Sequence, residues 1–297
     1  MRITQSMMSS TMMKNLQNNF HRLDKYQEQL MTNRQLNRPS DNPVGVASAL
    51  HYRAEISSTT QFEENTQDAE SWLKYTDTVM NETTQIMQKL SELAVQGGTD
   101  TVPPDARKNI AQEVSQLYDH LVSLGNAQFK GKHIFNGQRI EQPPYPADPA
   151  NQAYELDQGV FQYQVGAGMY VDVNTVGDKI FGKSTDANNM FKVVDNFKKA
   201  LESNNTGDIQ ASIPKLQSFI ETIVTAQAEV GAKQNRLEFT TSRLEDLNLN
   251  YISLQSKTED INMPKVITEL KTAEGIYQAS LDTIARISRP SLLDFLR

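Results

Sequence analysis

The sequence predicts a mainly α protein with a small β insert, drawn out as an elongated rod of long paired N- and C-terminal helices, coiled-coil-like. Three observations carry that prediction. Near the start, Met13, Leu16, Phe20, Leu23, Gln27 and Leu30 alternate steps of three and four. Near the end, Val230, Leu237, Leu244, Leu247, Tyr251, Leu254 and Ile261 keep the same rhythm, while the middle keeps none. This spacing puts one apolar seam on each helix, and the natural partner of one terminal seam is the other. The hydrophobic share is 38%, low for one large spherical core and suited to long helices with much surface per residue.

The first helix is expected from about Thr4 to Asn33. Met7, Met8, Met12 and Met13 crowd its early turns. Methionine is flexible and polarisable, so two readings stand: ordinary seam filling, or a segment that stays mobile until a partner supplies a groove. Arg38-Pro39-Ser40-Asp41-Asn42-Pro43 breaks the helix, because each proline drives its predecessor out of helical geometry. Asp41 or Asn42 can cap the next helix, with Pro43 in its first position. That long helix runs from Val44 to Gln96, with the seam Trp72, Thr76, Val79, Thr83, Ile86, Leu90 and Leu93; Trp72 is expected in the core. Gly97-Gly98 ends it. Val102-Pro103-Pro104-Asp105 starts another helix, expected to reach Gln128, with the seam Ile110, Val114, Leu117, Leu121 and Leu124. Phe129 to Gly137 reads as a turn and short strand.

The segment from Gln138 to Ser184 reads as a small β domain. Pro143, Pro144, Pro146 and Pro149 exclude helix, and the runs Val160–Val165 and Met169–Val173 flank Gly166-Ala167-Gly168 as a hairpin. Helix returns near Met190 and ends around Asn204–Gly207. A long helix begins at about Asp208, with Pro214 in its first turns. Its seam slips near Pro264 into a new frame, Val266, Leu270, Ala273, Tyr277, Ser280, Ile284 and Ile287, which predicts a kink or joint. The expected domains are 1–40 with 252–297, 41–137 with 185–251, and 138–184.

A net charge of -7 argues against nucleic acid or an anionic membrane as the main partner of the chain. Cysteine is absent, which removes disulfides, thiolate nucleophiles and zinc–thiolate sites. The opening residues lack a signal-peptide apolar region and no run is long enough to span a bilayer, so export without a cleaved signal, or a cytoplasmic life, is expected. His21, His51, His120 and His133 lack metal-ligand spacing and are expected at the surface or in a seam. No nucleophile elbow or phosphate loop occurs. Carboxylate pairs such as Glu63-Glu64 and Glu245-Asp246 point away from each other on their helices. No catalytic, cofactor or metal site is expected.

The order of parts, helical arm, loop, long helix, Gly-Gly break, helix, β insert and returning helix, resembles the flagellin superfamily of bacterial flagellar axial proteins. Three stretches narrow the likeness. Met31 to Pro43, with Pro39, Ser40, Asp41 and Pro43, resembles the loop of the hook-associated protein 3 family, with Asn42 where Asp is frequent. Phe135-Asn136-Gly137 resembles the turn that leaves the helical domain. Ser291-Leu292-Leu293-Asp294-Phe295-Leu296 resembles that family's C-terminal end.

The resemblance implies a structural adaptor, not an enzyme, joining the hook, through hook-associated protein 1, to the flagellin filament. It implies a ring of copies of this chain at the hook–filament junction, outside the cell, reached by flagellar type III export from the cytoplasm. It also implies terminal helices that are unfolded in the free subunit, an export chaperone on the C-terminal helix, and no cofactor. The assembly seam is then Met13, Leu16, Phe20, Leu23 and Leu30 with Tyr251, Leu254, Ile261, Leu270, Tyr277 and Ile284. Leu292, Leu293 and Phe295 either dock there or on the chaperone, or form a frayed end without a partner. A flagellin filament subunit shares this architecture; a cytoplasmic coiled-coil scaffold is the alternative of another class.

Overall fold

Asparagines and prolines set where the main helices begin. In the computed structural model, which describes residues 5–186 and 188–287, Asn42 accepts the backbone N–H of Gly45 at 3.1 Å and caps α2 (Pro43–Gly97), whose first residue is the proline. Helix α1 (Gln5–Thr32) precedes it and ends before Asn33, which sits at φ 56°. Pro104 opens α3 (Pro104–Gly125). Asn189 caps α5 (Met190–Glu202) by accepting from Phe191 N–H at 2.9 Å. Among the described residues two more helices follow, α6 (Thr206–Glu259) and α7 (Met263–Ile287), and a single short turn, α4 (Asp178–Phe181), precedes α5.

Among the described residues four short strands make two antiparallel hairpins: β1 (Gln128–Phe129) with β2 (Lys132–His133), and β3 (Gln162–Gly166) with β4 (Met169–Asp172). The second is the hairpin expected around Gly166-Ala167-Gly168, with a register shift between Gln164 and Gly166. The mainly helical fold with small strands is the class the sequence predicts.

The helix expected to reach Gln128 stops at Gly125. The reason is a contact with a later segment. A side chain at Gly125 would meet the Tyr145 ring at 2.8 Å, and Asn126 exchanges two hydrogen bonds with the Tyr145 backbone, at 3.0 and 2.9 Å. The chain turns there into β1.

Two compact units form, residues 1–58 with 247–297 and residues 59–246. The second unit holds the main core. Its α2 seam is buried throughout: Trp72, Thr76, Val79, Thr83, Ile86, Leu90 and Leu93. The seam threonines meet their hydroxyl demand within the helix; Thr76 and Thr83 donate to the carbonyls of Trp72 and Val79. Trp72 packs on Phe129 and Phe161, with ring centroids 5.8 and 5.6 Å away. Segment 138–184 joins this same core through Tyr145, Leu156, Val165, Val171, Val173 and Phe181. Phe181 stacks on Phe191 at 5.3 Å and meets Phe135 edge-on at 5.5 Å, contacts that fix side-chain orientation beyond their area alone.

Buried Arg107 ties the end of α2 to its neighbours. Its guanidinium donates to the carbonyls of Gly97 at 3.0 Å and Thr99 at 2.8 Å, and to the Asn204 side chain. Carbonyls left open at a helix C-terminus are thereby satisfied by a cation, as the helix dipole favours. His133, expected at a surface or in a seam, is instead buried within the first hairpin, on β2, its Nδ1 2.9 Å from the Asn126 carbonyl oxygen.

Candidate assembly seam

The first unit is built on α1 against α7. Heptad spacing on both helices supplies the apolar contact, and three pairs set its direction. Asn19 Nδ2 donates to Ser280 Oγ at 2.9 Å. The rings of Phe20 and Tyr277 lie 6.0 Å apart. Tyr26 and Glu269 face one another across the pair, and burial followed by that carboxylate raises the phenol's pKa. Partners fall along the chain as α1 rises, so the helices run antiparallel. Arg22 donates to Asn19 Oδ1 at 2.5 Å, so both ends of that amide are engaged.

Among the expected seam residues, the helix pair brings Leu16 and Ile284 to one open groove, with Met12, Ile276 and Ala279. Phe20 meets Tyr277 but stays half exposed. Leu23, Leu30 and Leu270 are partly buried, while Met13 faces solvent. Tyr251 and Leu254 lie on α6 rather than on the helix that pairs with α1, and Ile261 lies in the break between them. The most buried apolar side chains of α7 are Val266 and Ala273, both in the slipped frame. Leu292, Leu293 and Phe295 lie outside the described residues.

The α6–α7 joint occurs where the seam slips. Asn262 accepts from Lys265 N–H at 3.2 Å and starts the new helix, with Pro264 in its first turn, where a missing N–H costs nothing. Across the joint, Gln35 N–H donates to the Glu259 carbonyl at 2.7 Å, and Gln35 Nε2 to the Thr258 carbonyl at 2.9 Å. Glu259 is only 3% exposed. Its Oε1 meets Arg53 at 2.5 Å; its Oε2 meets Gln255 at 3.3 Å and Arg34 at 3.7 Å. Burying a carboxylate is costly unless cations and donors compensate it, and here they come from three chain segments. Nothing in the apolar rhythm signals this cluster. Its one trace in the sequence is an acid at the end of a seam-bearing helix.

The loop motif is organised by Asp41. One carboxylate oxygen takes Lys25 Nζ at 2.9 Å; the other accepts the N–H groups of Arg38 at 3.1 Å and Asn37 at 3.4 Å. The Lys25 hydrogen bond is the main reason this carboxyl titrates below the usual aspartate range. Pro39 and Ser40 are exposed, and Pro43 begins α2. Arg38 adds a 3.1 Å ion pair to Glu28. Asp41 therefore folds the loop, and the neighbouring Asn42 performs the capping.

Among the described residues, no group of three metal-ligating side chains forms and no helix is long and apolar enough to cross a membrane.

Residues 3–139 match the bacterial flagellin N-terminal helical region and residues 213–296 the bacterial flagellin C-terminal helical region. The chain is 27% identical to the flagellin of Bacillus subtilis over the whole of both chains. It is 24% identical to flagellar hook-associated protein 3 of Salmonella typhimurium, again over all of both. In fold it is similar to the flagellar junction protein FlgL from Legionella pneumophila, with TM-score 0.58 and 16% identity over 73% of this chain and 100% of that one. With both terminal helical regions matched, the chain belongs to the bacterial flagellin family.

Proposed function

We propose that this chain is the structural adaptor between hook and filament, placed outside the cell at the junction. The observation that carries the reading is the loop at residues 37–43. A proline-flanked Asp41 gathers Lys25 and two backbone N–H groups, and Asn42-Pro43 starts α2. This gives a physical role to the stretch that resembles the hook-associated protein 3 family. Whole-length similarity to such a protein and fold similarity to a flagellar junction protein support it.

In this reading α1 and α7 pair in an inner layer, with 1–40 and 252–297 as its domain, and stack against hook-associated protein 1 on one side and flagellin on the other. Copies of the chain form a ring. Residues 41–137 with 185–251 make the helical rod domain, and 138–184 face outward. A single helix pair buries little apolar surface relative to its ordering entropy; neighbouring subunits supply the rest. The terminal helices are then unfolded during type III export and masked by a chaperone on the C-terminal helix. Met13, Phe20 and Leu281, all substantially exposed, are the surface that assembly would cover.

A second reading, the filament subunit itself, is favoured by the 27% identity to a flagellin over both full lengths. Immunogold microscopy of intact flagella with antibody to residues 138–184 separates the two. A single band between hook and filament is expected; label along the whole filament would make the chain a flagellin.

A further inference from the structure

Sulfur is distributed unevenly in this protein. There are eleven methionines and no cysteine, so thioethers are its entire sulfur chemistry. In the unit of residues 59–246, Met80, Met87 and Met190 are fully buried. Met169, on β4, is partly buried and its sulfur accepts a hydrogen bond from Arg243 at 3.2 Å. In the other unit the pattern reverses. Met7 is 61%, Met8 42% and Met13 52% exposed, and Met12 lines the open groove between α1 and α7 with Leu16, Ile276 and Ile284. Four thioethers thus lie within two turns of the helix that forms half of the seam.

We propose that Met7, Met8, Met12 and Met13 form a reversible oxidation site that controls whether α1 can be buried in an assembly. The oxidant class is a peroxide. The thioether sulfur attacks one oxygen of hydrogen peroxide and the O–O bond breaks. The departing hydroxide takes the remaining proton and leaves as water, so sulfur loses two electrons and the peroxide gains them. The product is a sulfoxide, a polar group on a formerly apolar side chain. On an exposed helix the new S=O is hydrated and costs little. Met12 shares its groove with the polar side chains of Asn15, Ser280 and Thr283 as well as with Leu16, Ile276 and Ile284, but Met7, Met8 and Met13 are exposed, and an assembly that covers them must strip water from each new S=O, which opposes burial of α1. A sulfoxide reductase restores the thioether. Burial of Met80, Met87 and Met190 shields the core of the second unit.

The consequence for assembly rests on the flagellar reading above, and the experiment separates the two. The full chain is treated with dilute hydrogen peroxide and mapped by peptide mass spectrometry. Met7, Met8 and Met13 should gain one oxygen about tenfold faster than Met80 or Met87, because oxidation follows access. Equal rates would overturn the site. Treated and untreated chains are then added to flagella that lack the endogenous protein. Incorporation should fall about tenfold on oxidation and return after sulfoxide reductase. A variant carrying Met7→Leu, Met8→Leu, Met12→Leu and Met13→Leu, swaps that conserve volume, should incorporate with or without treatment. Undiminished incorporation of oxidised wild-type chain would overturn the proposal, as would equal loss in the leucine variant. If even untreated chain fails to incorporate, the flagellar reading falls and the proposed control of assembly falls with it; the mass map then decides the oxidation site alone.

Discussion

Arg53 on α2 and Glu259 at the end of α6 are joined at 2.5 Å, and the carboxylate is almost wholly buried. The pair fixes the point where the C-terminal helix breaks and the 33–35 segment crosses it. Replacing Glu259 by Ala strands Arg53 and Arg34 and removes the acceptor of Gln255. Breaking a fully buried pair costs about 3–5 kcal/mol. Both arginines are partly exposed here, so about 2 kcal/mol of local stability is expected to be lost. Hydrogen exchange at the Gln35 amide, which bonds the Glu259 carbonyl, should accelerate in Glu259→Ala. Unchanged exchange there would mean that the backbone bridge holds the joint without the ion pair.

The Asp41 loop should respond to acid. Its carboxyl titrates below the ordinary aspartate value, first because of the Lys25 hydrogen bond and then through the N–H groups of Arg38 and Asn37. A depressed native pKa stabilises the loop fully above the unfolded aspartate value, about 3.9, and that contribution disappears as pH falls through the lower native one. Amide chemical shifts of Asn37 and Arg38 should titrate together in this acid window. Asp41→Asn should abolish that titration, and an unaltered curve in the variant would assign it to another group.

Gly137 is a position where glycine is required on two counts. Its φ is 57°, and a Cβ there would lie 2.2 Å from the Asp157 carbonyl oxygen. That carbonyl cannot retreat easily, because Asp157 N–H donates to Asn136 Oδ1 at 3.3 Å and its carboxylate accepts Gln138 N–H at 2.6 Å. Gly137→Ala combines left-handed strain with backbone overlap and should destabilise the second unit by about 3 kcal/mol. Denaturant midpoints of the two proteins measure this; a shift within error would show that the turn relaxes freely.

The helices are legible in the sequence because apolar periodicity and proline placement act over long stretches. The α2 seam from Trp72 to Leu93 can be read residue by residue, and the seam slip at Pro264 marks the joint that begins α7. The hidden features depend on single polar atoms meeting across the fold. Glu259 cannot be paired with Arg53 from spacing, since they are 206 positions apart. The end of α3 falls three residues before the expected one because Asn126 and Tyr145, not propensity, decide it. Likewise the seam carries Asn19 and Tyr26, polar residues that an apolar template passes over.

Those polar residues lead to the last prediction. An apolar seam alone tolerates slippage, whereas a polar pair inside it favours the one register that satisfies both partners. Asn19 with Ser280 and Tyr26 with Glu269 should therefore fix how α1 lies on α7. The absence of cysteine makes this directly measurable, because introduced thiols have no competitors. In isolated flagella, Asn19→Cys with Ser280→Cys should be joined efficiently by a short bis-maleimide. Asn19→Cys with Thr268→Cys, displaced by about 18 Å along α7 at 1.5 Å per residue, should not. Adding Tyr26→Phe to the first pair should lower its yield, because the seam then loses one of its two polar restraints and gains access to neighbouring registers. Equal yields for the two cysteine pairs would show that apolar packing leaves the register free and that the polar contacts do not select it.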